Sequence, residues 1–535
     1  MDFKNWRMQM AMAGLLLLFL GILAWPALQY PLGSDQGTFA YGASILLNGG
    51  MLYRDAADTK PPGIFLLYAL AETIFGSAES GYRRLEPFIL FLGLFPLLQI
   101  FQKMKWPLIF LAMSALAAWY YAGLSYWDLG QAELPAKVLT LAYIAWILRR
   151  APGPLHLDTI GGILPGLLVL LKQHFVLLAL VFVYTVVLDE RRVHGTWKKS
   201  FVRAMPRLAA HGAGMLIPFL LILVWFAARG SAGDLLQGMF VWPFLYARHA
   251  GLPAESLMHY SFSFLFHLPL VAVLAFGFMQ LWRQRRERQQ GILLAALAVI
   301  LLCSVLQRKF WTYHLVFLLP GLVILLGAAA QGMLSTGNAR IRAVLLSVLL
   351  IADVAFTSFN FAHRREREEA PGNHYLGAWS LAIQLSSGRI SRETYLDSFA
   401  ARLHPRDGRA PLHRPGADWR VAQMVGRHCR PGESLQLLEF RPAVYVLAQR
   451  RSSHRFFFWS LPSLLGRQGK KLEEEMKRLT FVEKRPDCIV FGSGAHWDSP
   501  QARELDPGHF GFVKSDSILE DAEAGVRMDL FRSSP

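Results

Sequence analysis

Cysteine is scarce in this chain: Cys303, Cys429 and Cys488 are the only three among 535 residues. No metal-ligand spacing emerges from them, and His363, His374, His404, His413, His428 and His454 are scattered through the last third as surface residues. Cys303 lies in an apolar run and reads as a packing residue. Cys429 and Cys488 could form a disulfide outside the cytoplasm, but their separation in sequence carries no geometry, so paired and free states both stand. There is no internal repeat, no low-complexity stretch and no signal peptide with a small-residue cleavage site.

Acidic residues are also in deficit, 38 Asp and Glu against 55 Lys and Arg, for a net charge of +17. Such an excess would suit a nucleic acid, but its placement excludes one. The bases gather in short loops between apolar runs: Lys103 and Lys105, Arg149 and Arg150, Arg191 to Arg207, Arg283 to Arg288, Arg340 and Arg342. That is the positive-inside pattern of a multi-spanning membrane protein. With 53% hydrophobic residues and a mean hydropathy of +0.31, the chain is too apolar for a soluble protein of this size.

Runs such as Met8–Leu28, Leu208–Ala228 and Ala343–Phe361 approach the roughly 20 residues needed to cross a bilayer. Counting from Lys4 and Arg7 inside predicts spans near 8–29, 86–102, 107–124, 134–148, 208–228, 262–282, 291–306, 315–331 and 343–361. The apolar stretch 160–188 is basic on both sides and broken by Lys172-Gln173-His174, so it reads as a hairpin of two short helices with a polar tip below the outer surface. A Lys at that depth is a functional candidate by default. The count gives about eleven segments, an α-helical membrane domain over 1–362 and a small extracytoplasmic α/β domain over 363–535. In that tail, Leu435–Glu439, Val444–Leu447 and Cys488–Phe491 read as strands and Lys471–Leu479 as an exposed helix.

The first outer loop, roughly 30–85, is the densest in polar residues. It holds Ser34-Asp35-Gln36-Gly37-Thr38, then Tyr53-Arg54-Asp55, then Asp58-Thr59-Lys60-Pro61-Pro62. A short amphipathic helix over 39–47 and another starting at Pro62 would lie at the interface and meet a lipid headgroup. Two roles suit Asp35, a helix N-cap or a general base. Asp55 and Asp58 equally suit organising the turn before Lys60. The cations Lys60, Lys172, Arg308 and Lys309 fall on the same counted face as Asp35 and Glu133, although Arg308 and Lys309 could equally be snorkelling helix ends.

The order Asp35-Gln36-Gly37-Thr38-Phe39-Ala40-Tyr41, Gly50-Met51-Leu52-Tyr53-Arg54-Asp55 and Lys60-Pro61-Pro62-Gly63 resembles the first loop of GT-C superfamily glycosyltransferases. It is most similar to the bacterial branch with protein O-mannosyltransferases, lipid A aminoarabinose transferases and lipopolysaccharide transferases. Gly130-Gln131-Ala132-Glu133, Lys172-Gln173-His174, Arg308 to His314 and Pro442 to Arg451 resemble later motifs of that group in the same order. Where the group often has a second acid after the first-loop Asp, this chain has Gln36.

The resemblance implies a GT-C-like inner-membrane enzyme using a polyprenyl-phosphate sugar and a glycan, lipid or protein acceptor, with no tightly bound cofactor. The N-terminus would be cytoplasmic and the C-terminal domain periplasmic. Asp35 would be the base and Lys60, Lys172, Arg308 and Lys309 would hold the donor phosphate. Tyr53, Asp55, Asp58, Glu133, His174, Tyr313 and His314 would support them. No residues are assigned to a metal, and dependence on a divalent ion stays open. A lipid-linked substrate transporter or an inactive lipid-binding scaffold are the alternatives.

Overall fold

A computed structural model describes residues 3–101, 106–150, 153–249, 268–307, 312–335, 372, 375–399, 401–402, 412–457, 459, 467–493, 505–521 and 526–533. The expected span over 343–361, the pair Arg308 and Lys309, and His363, His374 and His404 lie outside these residues.

The chain opens with α1 (Phe3–Ala24), α2 (Ser34–Leu47), α3 (Pro62–Phe75), α4 (Gly81–Leu92), α5 (Leu94–Ile100), α6 (Trp106–Tyr121) and α7 (Glu133–Arg149). It continues with α8 (Leu155–Leu171), α9 (Ala179–His194), α10 (Trp197–Ala228), α11 (Ala232–Leu236), α12 (Trp242–His249), α13 (Leu268–Arg283), α14 (Arg288–Leu306), α15 (Thr312–Leu315) and α16 (Leu319–Ser335). Three helical stretches, Gln173–His194, Trp197–Ala228 and Arg288–Leu306, are long and apolar enough to cross a membrane, and four shorter apolar helices accompany them. Leu220, Leu221 and Val224 on α10 and Leu301 and Val305 on α14 are exposed, the outward apolar surface a bilayer would cover. The chain is a multi-pass membrane protein. About eleven segments is more than helix length alone establishes.

The hairpin is present, but it is longer than the apolar run suggested. α8 stops at Lys172, which is extended (φ −154°, ψ 130°), a 3₁₀ helix follows over Gln173–Leu178, and α9 resumes at Ala179. Both free ends of the hairpin, away from Lys172, carry an acid that meets the same base. Arg150 Nε donates to Asp158 Oδ1 at 2.6 Å and Arg150 lies 3.7 Å from Asp189, while Arg207 and Arg288 complete the pairs at 3.0 and 2.9 Å. The two ends therefore lie in one basic layer and Lys172 lies at the opposite end. Because these acids find cations, the helices run through them, from Leu155 to His194 rather than 160–188, and each arm has nearly a full crossing at about 1.5 Å per residue.

α10 lies along α8 at close range. A Cβ on Gly162 or Gly214 would collide with backbone of the facing helix, so the small residues set the approach. α17 (Tyr375–Ser386) and α18 (Arg392–Asp397) pack into the same core as the membrane helices through Ala378, Tyr395 and Leu396, joined by Phe399 just after α18, and Tyr375 Oη donates to the Leu23 carbonyl at 2.9 Å.

The C-terminal part contains β1 (Ala401–Arg402), β2 (Leu412–His413), α19 (Pro415–His428), β3 (Leu435–Leu437), α20 (Ala443–Ala448), α21 (Arg467–Arg478), β4 (Cys488–Ser493), β5 (Phe512–Asp521) and β6 (Val526–Ser533). The four-stranded sheet runs β3-β4-β6-β5, with β3 and β4 parallel and the other pairs antiparallel. Val444–Leu447, expected as a strand, is helical. Its apolar run is too short to set a period, Pro442 fixes the entry and Gln449 ends it in the left-handed region (φ 52°). Cys429 and Cys488 are joined, linking the end of α19 to β4.

Candidate active site

Asp35 sits in the first turn of α2, which begins five residues earlier than the apolar pattern suggested. Gly33 is the N-cap and there is no side-chain cap bond, so the carboxylate is not used to cap the helix. It accepts instead from Lys60 Nζ at 2.9 Å and from Gln131 Nε2 at 3.1 Å. Both members of the ion pair remain partly accessible, at 22% for Asp35 and 28% for Lys60. Burial alone would raise the Asp35 carboxyl, but the charge and hydrogen bond of Lys60, with help from Gln131 and Lys172, hold it below its ordinary value. Burial acts against the Lys60 ammonium, and Asp35 and Asp58 more than compensate, raising it.

The loop residues around Lys60 hold its backbone. The Lys60 amide donates to Asp58 Oδ1 at 2.8 Å, and Tyr53 Oη donates to the Lys60 carbonyl at 2.8 Å. Tyr53 has a positive φ of 67°, and the turn is tightened by Asp55, which accepts from the Met51 amide at 2.7 Å and pairs with Arg54 at 2.9 Å. Asp55 and Asp58 are thus turn-builders, and Tyr53 reaches the site only through the backbone of Lys60. The Lys60 ammonium also lies 5.0 Å from the centre of the Phe39 ring.

A second acid–cation pair forms at the polar break. Lys172 Nζ donates to Glu133 Oε1, at the start of α7, and to Gln307 Oε1 at 3.2 Å, at the end of α14. Tyr313 lies under the same ammonium at 5.4 Å and His314 Nε2 is 4.0 Å from Glu133 Oε1. Glu133 is almost wholly buried, so its charge depends on this partner. The imidazole of His174 packs edge-on against Phe175 and its Nε2 has no hydrogen-bond partner, so it stands outside both pairs. Among the described residues, the one His, Cys, Asp and Glu group compact enough for a metal is Cys429, Glu433 and Cys488, and its two sulfurs are bonded to each other.

Gln36 has a structural task. Its fully buried Nε2 donates to the carbonyls of Trp127 at 2.7 Å, Tyr126 at 3.5 Å and Leu129. A carboxylate there would face three acceptors with no proton to offer. The loop it pins, 125–131, is the one that presents Gln131 to Asp35.

Sequence reasoning missed the other half of that support. Arg83 donates to the Tyr126 carbonyl at 2.6 Å, Glu86 accepts from the Gly130 amide at 2.7 Å and from Tyr120, and Tyr68 Oη donates to the Gly130 carbonyl at 3.0 Å. Arg83 and Glu86 are 3.7 Å apart and buried. The available signal was two opposite charges three positions apart on the helix that follows the loop.

No protein-family model and no curated protein sequence matches the chain. Solved structures do match. ArnT from Cupriavidus metallidurans bound to undecaprenyl phosphate superposes with a TM-score of 0.55 at 14% identity, covering 98% of this chain and 99% of that one. The chain shares its fold with this ArnT over nearly its whole length. The apo form of the same ArnT gives a TM-score of 0.55 at 12% identity, over 98% and 100% of the two chains. At such identities the likeness concerns the arrangement of helices and tail.

Proposed function

We propose that this protein is a membrane glycosyltransferase that moves a sugar from a polyprenyl-phosphate donor to a glycan, lipid or protein acceptor. The observation that carries the proposal is the pairing of a partly open carboxylate, Asp35, with Lys60, beside a second cation, Lys172. A fold shared with a protein crystallised with undecaprenyl phosphate supports it.

The reaction is a single displacement with inversion. The acceptor oxygen or nitrogen attacks the anomeric carbon, and the bond from that carbon to the phosphate oxygen breaks. Asp35 takes the acceptor proton, and the polyprenyl phosphate leaves with the electron pair. The charge gathering on the phosphate meets Lys60 and Lys172, with Arg308 and Lys309 as further contributors; preplaced cations in a partly dry site lower that barrier. Tyr53, Asp55 and Asp58 set Lys60, while Glu133, Tyr313 and His314 set Lys172. The site faces the outer side of the inner membrane, opposite the layer of Arg150, Arg207 and Arg288. A membrane domain over 1–362 carries the chemistry and the domain over 363–535 faces the periplasm.

The experiment is mass spectrometry of envelope glycans and glycolipids from a deletion strain, followed by purified protein with a panel of undecaprenyl-phosphate sugars. One missing sugar, restored by the gene and transferred in vitro from one member of the panel, is expected. Unchanged envelope glycans and flux of the lipid-linked sugar without a covalent product would overturn the proposal in favour of a transporter.

A further inference from the structure

α2 is the element that carries Asp35, and its residues divide between two cores. Phe39, Ala40 and Ala43 belong to the core of the membrane helices, with the Phe39 ring edge-on to Phe65 at 5.6 Å. Tyr41 and Ile45, one turn apart on another face, belong to the core of the C-terminal sheet domain. Gly37 is one turn before Tyr41 on that face.

The contact at this face is close and specific. A Cβ on Gly37 would lie 2.5 Å from the Ala443 amide nitrogen and 2.9 Å from its Cα, so only glycine admits the backbone of α20. The Tyr41 ring lies 4.8 Å from that of Tyr445 on α20 and 4.5 Å from that of Phe457, and its hydroxyl accepts from the Ser452 amide at 2.9 Å. The next stretch of the same loop joins in, with the Ala57 amide donating to the Arg455 carbonyl at 2.8 Å. α20 is fixed in turn. Arg441, just before it, donates to Asp418 on α19 at 2.8 Å and to Glu439 at 2.6 Å, and the Tyr445 hydroxyl accepts from the Leu437 amide of β3 at 2.9 Å.

We infer that the C-terminal domain is a positioning part of the reaction centre, with Gly37 and Tyr41 the positioning residues through which α20 sets Asp35 against Lys60 and Gln131. Gly37 is two residues from Asp35, whereas Lys60 and Lys172 stand on other segments. Displacing α2 from α20 therefore moves the base directly, while Lys172, held by Glu133 and Gln307, keeps its place on the phosphate side. The inference rests on the transferase proposed above.

The test separates transfer from lipid binding. Wild type, Gly37→Ala, Tyr41→Phe and the control Gly426→Ala, whose added Cβ meets nothing within 4 Å, are purified in detergent. Each is measured for undecaprenyl phosphate binding and for transfer from the panel donor that wild type uses. Gly37→Ala must open the contact by roughly 1 Å, and a misplacement of that size costs on the order of 100-fold in turnover. The expected result is that loss with undecaprenyl phosphate affinity within about threefold of wild type, a smaller loss for Tyr41→Phe, and none for Gly426→Ala. Folded Gly37→Ala with wild-type turnover overturns the inference, as does a loss of lipid affinity equal to the loss of transfer. If Gly37→Ala does not fold, Tyr41→Phe decides: unchanged turnover overturns the inference, reduced turnover with intact lipid binding supports it. Absence of transfer by wild type from every donor tested would instead count against the transferase proposal.

Discussion

Replacing Gln36 with glutamate inserts the acid that the resembled enzymes often carry after the first-loop Asp, and the surroundings predict its cost. The amide nitrogen here faces the carbonyls of Trp127, Tyr126 and Leu129 in a fully buried position. An ionised carboxylate would be desolvated and repelled, so the introduced group stays protonated and donates its one hydrogen to one carbonyl. An unfolded glutamate has a pKa of about 4.3, and holding a proton on it at pH 7 costs about 4 kcal/mol. That cost falls to about 1 kcal/mol at pH 5.

The sign follows from proton counts. Above pH 4.3 the folded variant binds one more proton than the unfolded chain, so its stability falls as pH rises and recovers on acidification. Unfolding of wild type and Gln36→Glu in detergent, compared at pH 7 and pH 5, should give a difference larger at pH 7 by about 3 kcal/mol. A difference independent of pH would refute the account of Gln36 as a donor clamp.

Lys172→Met should destabilise by about 3–5 kcal/mol because Glu133 is left buried without its cation, and adding Glu133→Gln should restore folded yield but not transfer, as read by detergent extraction and the envelope assay. In the C-terminal domain, Nδ1 of His454 accepts from the Phe456 amide at 3.2 Å and its ring is bonded to Thr480 at 2.8 Å, and burial pushes its pKa down to about 4. The unfolded imidazole titrates near 6.5, so this domain should lose about 3 kcal/mol as pH falls from about 6.5 through 4, and His454→Gln should flatten that part of the pH profile of unfolding.

Much of this organisation was legible before the structure. Apolar runs and the basic loops between them gave most helices, and the start of α3 followed from Pro62. Lys172 stood out because a cation interrupts an apolar run. Helix ends were misjudged where charged residues extended them: Asp158 and Asp189 are helical because Arg150, Arg207 and Arg288 neutralise them across helices, which no local pattern contains.

The same holds for the site. Asp35 and Lys60 were readable as an acid and a cation in one loop, but their pairing, and the release of Asp35 from a capping role, depend on how α2 docks. Gln36 looked like a weakened acidic pair, and only its three carbonyl partners explain it. Arg83 and Glu86 were passed over because their targets are backbone atoms of a loop some 40 positions away.

Transfer by Asp35→Asn tests the central claim most directly. The asparagine keeps the size of the side chain and removes its basicity, and loss of a general base costs about 10²–10⁴-fold. The account predicts a folded protein that binds undecaprenyl phosphate and transfers sugar slower by that factor. Near wild-type turnover in that variant would contradict it.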